Sequence, residues 1–203
     1  MNGIIALLRK AQELLNLTRG IDFLAPLALR IYLAPIFFMA GWNKAMDFSA
    51  TAEWFGSADG LNLPFPTLMA ALATGAELGG SVALLLGLAL RWACIPMMFT
   101  MVVAIVTVHW ENGWLAVAEG MGPFATPRTM AASMELAKAK EILMEHGDYD
   151  MLTAHGSLVI LNNGIEFAVT YLTMLLSLFF TGAGRYVSLD YWIAKRFMHP
   201  TPK

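Results

Sequence analysis

Residues 66–90, PTLMAALATGAELGGSVALLLGLAL, form an apolar run with a single carboxylate, Glu77, near the middle. A helix that crosses a bilayer needs about 20 mainly apolar residues, and this run is long enough. Three further stretches qualify, giving spans over 24–44, 66–89, 91–110 and 159–182. Composition agrees with that reading. The chain is 58% hydrophobic and 14% charged, where soluble domains carry about 45–50% and about 25%. The expected fold is therefore all-α: a membrane four-helix bundle in a single membrane domain over 1–203.

The segments around the spans have their own patterns. In the N-terminal stretch, 1–20, Ile4, Leu8, Ala11 and Leu15 recur at helical spacing opposite Arg9, Lys10, Gln12, Glu13 and Asn16. That is an amphipathic interfacial helix, or one that caps the bundle or contacts a partner. It is not a signal peptide, because the charges follow the short apolar stretch and no small-residue cleavage site appears. The connection over 45–65 holds one interfacial turn with Trp54 at headgroup level, closed by the stop LNLPFP. Residues 111–158 are too long for a bare connection. Within this outer insertion, TPRTMAASMELAKAKEILMEHG predicts a helix of about 17 residues after Pro127, with Thr129 as N-cap and Gly147 just past its end. The weak apolar face of Met130, Met134, Ala137 and Met144 suits a cover over the bundle mouth, a docking helix or a solvated spacer.

Lys and Arg set the orientation. Arg9, Lys10, Arg19, Arg91, Arg185, Lys195, Arg196 and Lys203 lie on the side of the N-terminus, against Lys44, Arg128, Lys138 and Lys140 on the other. Both termini are thus expected in the cytoplasm, for a multi-pass protein of a bacterial inner membrane. The net charge of −2 gives no reason to expect nucleic acid. Cys94 is the single cysteine, so no internal disulfide or CxxC pair exists.

Ionisable groups at bilayer depth cost on the order of 3 kcal/mol, so they face the bundle interior and seek partners. Span 1 carries Arg30, Ala34, Phe37, Gly41 and Lys44 along one side. Span 4 carries Asn162, Glu166, Thr170, Thr173 and Ser177 as a stripe at helical period. Span 2 groups Glu77 with Gly80 and Ser81, while Gly75 and Gly79 form a GxxxG on the opposite face; Gly41, Gly75, Gly79 and Gly80 are the expected sites of close helix packing. Side chains lean toward their helix N-terminus. Lys44 therefore leans inward while Glu77 and Glu166 lean outward, so these three converge. Arg30 leans toward the cytoplasm and reaches Glu77 only in part, or snorkels. The charges of Arg30, Lys44, Glu77 and Glu166 balance, as a paired buried network requires. Such a network is either a ligand site or a clasp that specifies packing, and the residues alone leave both open. His109, His146, His155 and His199 sit at span ends or in loops, so neither a bis-histidine haem nor a metal site is expected. No phosphate loop or Ser/His/Asp arrangement is visible.

The stretches LRIYLAPIFFMAGWNKAMD, GAELGGSVALLLGLALRWACIPM and NNGIEFAVTYLTMLLSLFFTGAGRYVSLD, in that order, resemble DoxX-type membrane proteins over about 24–110 and 158–192. The residues carrying the pattern are Gly41 and Lys44, then Glu77, Gly79, Gly80 and Arg91, then Asn163, Gly164 and Glu166. The resemblance implies an integral subunit of a redox-linked system, related DoxD-type subunits being associated with thiosulfate:quinone oxidoreductase. A quinone or similar amphipathic molecule would then sit in the bundle against Glu77, Glu166, Lys44, Arg30, Asn162 and Asn163, with Trp42 and Phe38 stacking nearby. Any enzyme activity would be that of an oxidoreductase subunit fed by a soluble or membrane redox partner, because the chain lacks a thiol, haem or flavin motif. The alternative is a non-enzymatic scaffold that recruits a soluble partner through 111–158. Either could act as a homo-oligomer.

Overall fold

The computed structural model describes residues 2–198; His199 and Lys203, used in the readings above, lie outside the described residues. Among the described residues the chain is helical, with one isolated antiparallel bridge, Val117–Leu161, and no strand. Helix α1 (Asn2–Leu17) leads through a 3-10 turn, Thr18–Ile21, into α2 (Leu24–Met46); then follow α3 (Phe48–Gly56), α4 (Pro66–Leu86) and α5 (Leu90–Ala104). A π turn over Ile105–His109 and a 3-10 turn over Trp110–Asn112 prolong α5. Three helical segments are long and apolar enough to cross a membrane: Leu24–Met46, Pro66–Leu86 and Leu90–Asn112. They agree with the first three expected spans to within a few residues. The remaining helices are α6 (Pro127–His146), α7 (Tyr149–Thr153), α8 (Glu166–Thr181) and α9 (Leu189–Ile193), the last running into a π turn over Ala194–Met198. Two compact units result: one of residues up to Thr100 and from Met174 onward, the other of Met101–Thr173.

In the first unit, α2 and α4 form the main helix pair and α3 packs on α4. Helix α4 opens on Pro66 at its first turn, where a missing N–H costs nothing, and stops at Gly87 in the left-handed region. Its buried side chains are Ala70, Thr74, Glu77, Gly80, Ser81 and Leu84, a single face at helical period. The buried face of α2 is Pro26, Arg30, Leu33, Ala34, Phe37 and Gly41. Gly41 lets the two helices approach: a Cβ there would stand 2.9 Å from Leu78 Cγ and 3.0 Å from Glu77 Cβ. Gly80 does the same for α5, since a Cβ would run into the Met97 side chain. Gly41 and Gly80 are two of the four expected packing glycines; the other two make no such contact among the described residues. Gly75 and Gly79 are exposed, and a Cβ at either meets open space. The close contacts fall instead on the face that holds Glu77.

In α1, Ile4, Leu7, Leu8, Leu14 and Leu15 are all more than 60% exposed, so the described residues leave its apolar stripe uncovered.

In the second unit, α6 is longer than expected, 20 residues. Its N-cap is Thr126, not Thr129: the Thr126 hydroxyl accepts from Thr129 N–H at 3.2 Å, and the Thr129 hydroxyl accepts from Thr126 N–H at 2.9 Å. This reciprocal pair is a capping box with Thr in the place usual for Glu.

The fourth span departs most from expectation. Residues 159–165 are not helical, and α8 begins only at Glu166 and covers 16 residues. The preceding stretch runs beside 113–118. Ala118 N–H donates to the Ile160 carbonyl, and the N–H groups of Gly164, Ile165 and Glu166 donate to the carbonyls of Leu115, Gly113 and Trp114. The first N–H groups of a helix have no intrahelical partner; here neighbouring carbonyls satisfy them. Gly164 is required because a Cβ would lie 2.6 Å from the Gly113 and Trp114 carbonyl oxygens. Asn163 takes the left-handed conformation, φ 59°, which Asn tolerates better than most residues. The polar stripe read from Asn162 onward thus starts on a helix only at Glu166.

Candidate functional site

Span pairing places one acid and one amine together. Lys44 Nζ lies 2.8 Å from Glu77 Oε2 and 2.9 Å from Oε1, so the ammonium forks onto both carboxylate oxygens. The opposed leans of the two side chains produce this contact, as the running directions of the helices predict. The pair is asymmetric in exposure. The Glu77 side chain is 5% exposed and that of Lys44 28%, so the amine is the open face of the site. Lys44 also makes one long hydrogen bond, 3.4 Å, to the Ala40 carbonyl one turn back.

Thr74 lies three residues before Glu77 on the same buried face. Its hydroxyl is buried without a hydrogen-bond partner among the described residues. An unmatched buried hydroxyl costs on the order of 1–3 kcal/mol, so it is either a local cost or a group awaiting a partner. Sequence reading passed over Thr74, although its spacing from Glu77 was visible.

Arg30 does not join this pair, which corrects the expected four-charge network. Arg30 is 1% exposed, and four of the five N–H groups of its guanidinium donate to backbone carbonyls. Nε donates to Leu84 O at 2.7 Å and Nη2 to Leu85 O at 2.9 Å; Nη1 donates to Ala183 O at 2.8 Å and Val187 O at 3.1 Å. The first two carbonyls belong to the last turn of α4, where no intrahelical donor remains. Nearby, Asp190 accepts from the N–H groups of Ala89 and Leu90 at 2.7 and 3.0 Å and so caps the start of α5. Its own N–H donates to the Gly87 carbonyl. Gly87 admits no side chain, because a Cβ would meet Arg30 and Ser188 at 2.6–2.7 Å.

Phe38 and Trp42 stack on each other, 5.8 Å between ring centroids, and both are about half exposed. They line the outward side of α2 rather than its buried face.

Asn162 and Glu166 belong to the second unit. Asn162 is 2% exposed and fully engaged there: Oδ1 accepts from Arg128 Nε at 3.2 Å, and Nδ2 donates to the Asn112 and Leu115 carbonyls. The Asn163 carbonyl accepts from Asn112 Nδ2 and lies 2.8 Å from His109 Nδ1. Glu166 Oε2 accepts from Ala116 N–H at 2.9 Å. NNGIE, residues 162–166, is therefore a cap that joins the start of α8 to the 112–116 segment. Both amide hydrogens of Asn162 are thus committed to backbone carbonyls.

Residues 25–110 match the DoxX family model. The match spans α2 to the end of the helical segment that α5 begins, so it contains Lys44, Glu77, Gly41 and Gly80, but not NNGIE. With three helices of spanning length in the same region, this part of the chain is similar to DoxX-type membrane proteins. No curated protein and no solved structure matches the chain.

Proposed function

We propose that the protein is a DoxX-type membrane subunit of a redox-linked system, and that the Lys44–Glu77 pair binds the polar head of a quinone or similar amphipathic molecule. The observation that carries this reading is the ion pair itself, with its amine open and its acid closed. A lysine ammonium has three donors, and the Glu77 carboxylate takes two of them, leaving the 3.4 Å contact to Ala40 as the one most readily exchanged. A quinone carbonyl oxygen is an acceptor of matching size. From Pro66, Glu77 lies roughly 16 Å along the helix at 1.5 Å per residue, a depth at which a lipid-soluble ring resides. The Thr74 hydroxyl, one turn away, supplies a further donor. Bringing electrons to such a ligand requires a partner, since the sequence holds one cysteine and no bis-histidine arrangement within a span.

Titration of a short-chain benzoquinone into the full-length protein in lipid nanodiscs tests the proposal. Saturable binding is expected, weakened at least tenfold by Glu77→Gln and by Lys44→Met. Absence of saturation in the wild type, or binding by both variants as tight as that of the wild type, overturns it.

A second reading has its own observation. Met130, Met134, Ile142 and Met144 of α6 are each more than half exposed, and flexible Met-rich surfaces suit docking of a partner protein. Deleting 125–147 separates the readings: a scaffold loses its partner in pull-down, whereas the quinone site in α2 and α4 keeps its ligand.

A further inference from the structure

The two ends of the first unit's chain, α1 and the α9 segment, are joined to each other, and neither belongs to the Lys44–Glu77 site. Arg185 Nη2 lies 2.6 Å from Asp22 Oδ1 and donates to the Arg19 carbonyl at 3.1 Å. The turn after α1 is thereby clamped to the turn before α9. That Asp22 hydrogen bond, with the charge behind it, pushes the Arg185 guanidinium further above its ordinary range, so it stays cationic. Aromatic rings continue the join. Phe23 meets Tyr186 edge-on at 5.6 Å, Tyr186 meets Tyr191 at 5.3 Å, and Trp192 Nε1 donates to the Tyr186 carbonyl at 2.8 Å. Lys195 Nζ then stands over the Trp192 ring, 5.2 Å from its centroid.

This assembly presents six exposed cations: Arg9, Lys10, Arg19, Arg185, Lys195 and Arg196. Of the acids among them, Asp22 is spent on Arg185 and Asp190 on the backbone of α5, which leaves Glu13 as one exposed acid against the six cations. Large apolar groups are interleaved and uncovered: Ile4, Leu8 and Leu15 on α1, and Trp192, Phe197 and Met198 at the other end, are all more than half exposed. Basic residues beside exposed aliphatic and indole side chains are the composition of a helix seated at the headgroup level of a bilayer. Exposed apolar stripes of this size on a soluble partner's docking surface would not call for a cationic rim on both sides. A bilayer leaflet supplies the apolar layer and the anions together.

We infer that α1 and the Leu189–Met198 segment form a two-part collar around the start of α2 that binds the anionic headgroups of a membrane leaflet, with Arg9, Lys10, Lys195 and Arg196 as the headgroup ligands. The collar fixes which leaflet the unit faces and holds the α2 entry at the surface. Its ligand is a lipid anion rather than a free phosphate, because the apolar stripes need acyl chains to cover them.

Native mass spectrometry of the full-length protein, with phosphatidylglycerol or phosphatidylcholine of identical chains added, reads this directly. A basic residue near an anionic surface is worth about fivefold in partitioning. Wild-type protein is expected to retain phosphatidylglycerol at least tenfold better than phosphatidylcholine, and less so at high salt. The pairs Arg9→Gln with Lys10→Gln, and Lys195→Gln with Arg196→Gln, each reduce that preference by up to about 25-fold. A control pair on α6, Lys138→Gln with Lys140→Gln, leaves it unchanged. These side chains are exposed, so unfolding temperature in lipid-free detergent stays at the wild-type value in every variant. Equal retention of the two lipids by the wild type, an equal loss in the control pair, or displacement of the lipid by millimolar inorganic phosphate would overturn the inference.

Discussion

Helix α2 carries two cations, one buried and one half-buried, that meet opposite fates. Arg30 gives its guanidinium to four backbone carbonyls, all at 3.1 Å or closer. Lys44 gives its ammonium to one carboxylate and remains partly open. The first arrangement uses groups that do not titrate, and it commits four of the arginine's five donors to the backbone. It ties the end of α4 to the 183–187 turn and is a structural knot. The second uses a partner that can change its proton count, and an amine with room to change its bond. A planar fork of five donors suits fixed carbonyls, while a compact rotatable ammonium suits exchange. The residue types match the roles, and burial of charge alone does not separate structure from function.

Arg30→Met should be the most damaging single change. It strips donors from four carbonyls, and each buried acceptor left unmatched costs on the order of 1–3 kcal/mol. A loss of at least about 4 kcal/mol is expected in reversible unfolding in detergent, after allowing for partial relaxation. Arg30→Lys should recover less than half, since three donors on a point cannot serve carbonyls from two segments. Quinone binding by folded Arg30→Lys should match the wild type. A binding defect there equal to that of Lys44→Met would erase the distinction between the two cations.

Next in size is Lys44→Met, expected to cost about 3–5 kcal/mol because it leaves the Glu77 carboxylate buried without its partner. Adding Glu77→Gln should restore more than half of that loss. The double-mutant cycle on the same unfolding assay gives the coupling directly. Coupling within about 0.5 kcal/mol of zero would mean that the 2.8 Å contact carries no energy.

How much of this was readable beforehand depends on what the sequence can encode. The Lys44–Glu77 contact was legible because both ends are side chains and helix direction sets their lean. The knot around Arg30 was not, because carbonyls of Leu84, Leu85, Ala183 and Val187 carry no residue signature. Likewise the first three spans were legible from length and hydropathy. The start of α8 was misplaced by seven residues because Val159, Ile160 and Leu161 are apolar whether they sit in a helix or run extended beside 113–118. Gly164 was the available signal: a glycine two residues before an acid, after two asparagines, marks a backbone crossing more than a helix interior.

The third expected effect lies at the helix contact beneath the ion pair. Gly41→Ala puts a Cβ 2.9–3.0 Å from Leu78 Cγ and N and from Glu77 Cβ. Backbone must shift, and overpacking of this kind costs about 1–3 kcal/mol, against up to about 1 kcal/mol gained in helix propensity. A net loss of about 1 kcal/mol is expected in the same unfolding assay, with weaker quinone binding because the Lys44–Glu77 register moves. Stability and binding both unchanged would show that α2 and α4 are loosely apposed there.

The smallest effect tests two of the four glycines that the sequence favoured. Gly75 and Gly79 have the spacing that brings membrane helices together, yet each faces open space, while Gly41 and Gly80 make the close contacts without that spacing. Open space means that an added methyl meets nothing, so only the propensity gain remains. Gly75→Ala and Gly79→Ala should each raise stability by up to about 1 kcal/mol, and together they should add, since neither touches a shared partner. The measurement is again unfolding in detergent, made at two protein concentrations so that association would show as a concentration dependence. A loss of more than about 1 kcal/mol that deepens with dilution would mean that a second copy of the chain covers this face of α4. The glycine pair would then be doing between protomers what Gly41 and Gly80 do within one.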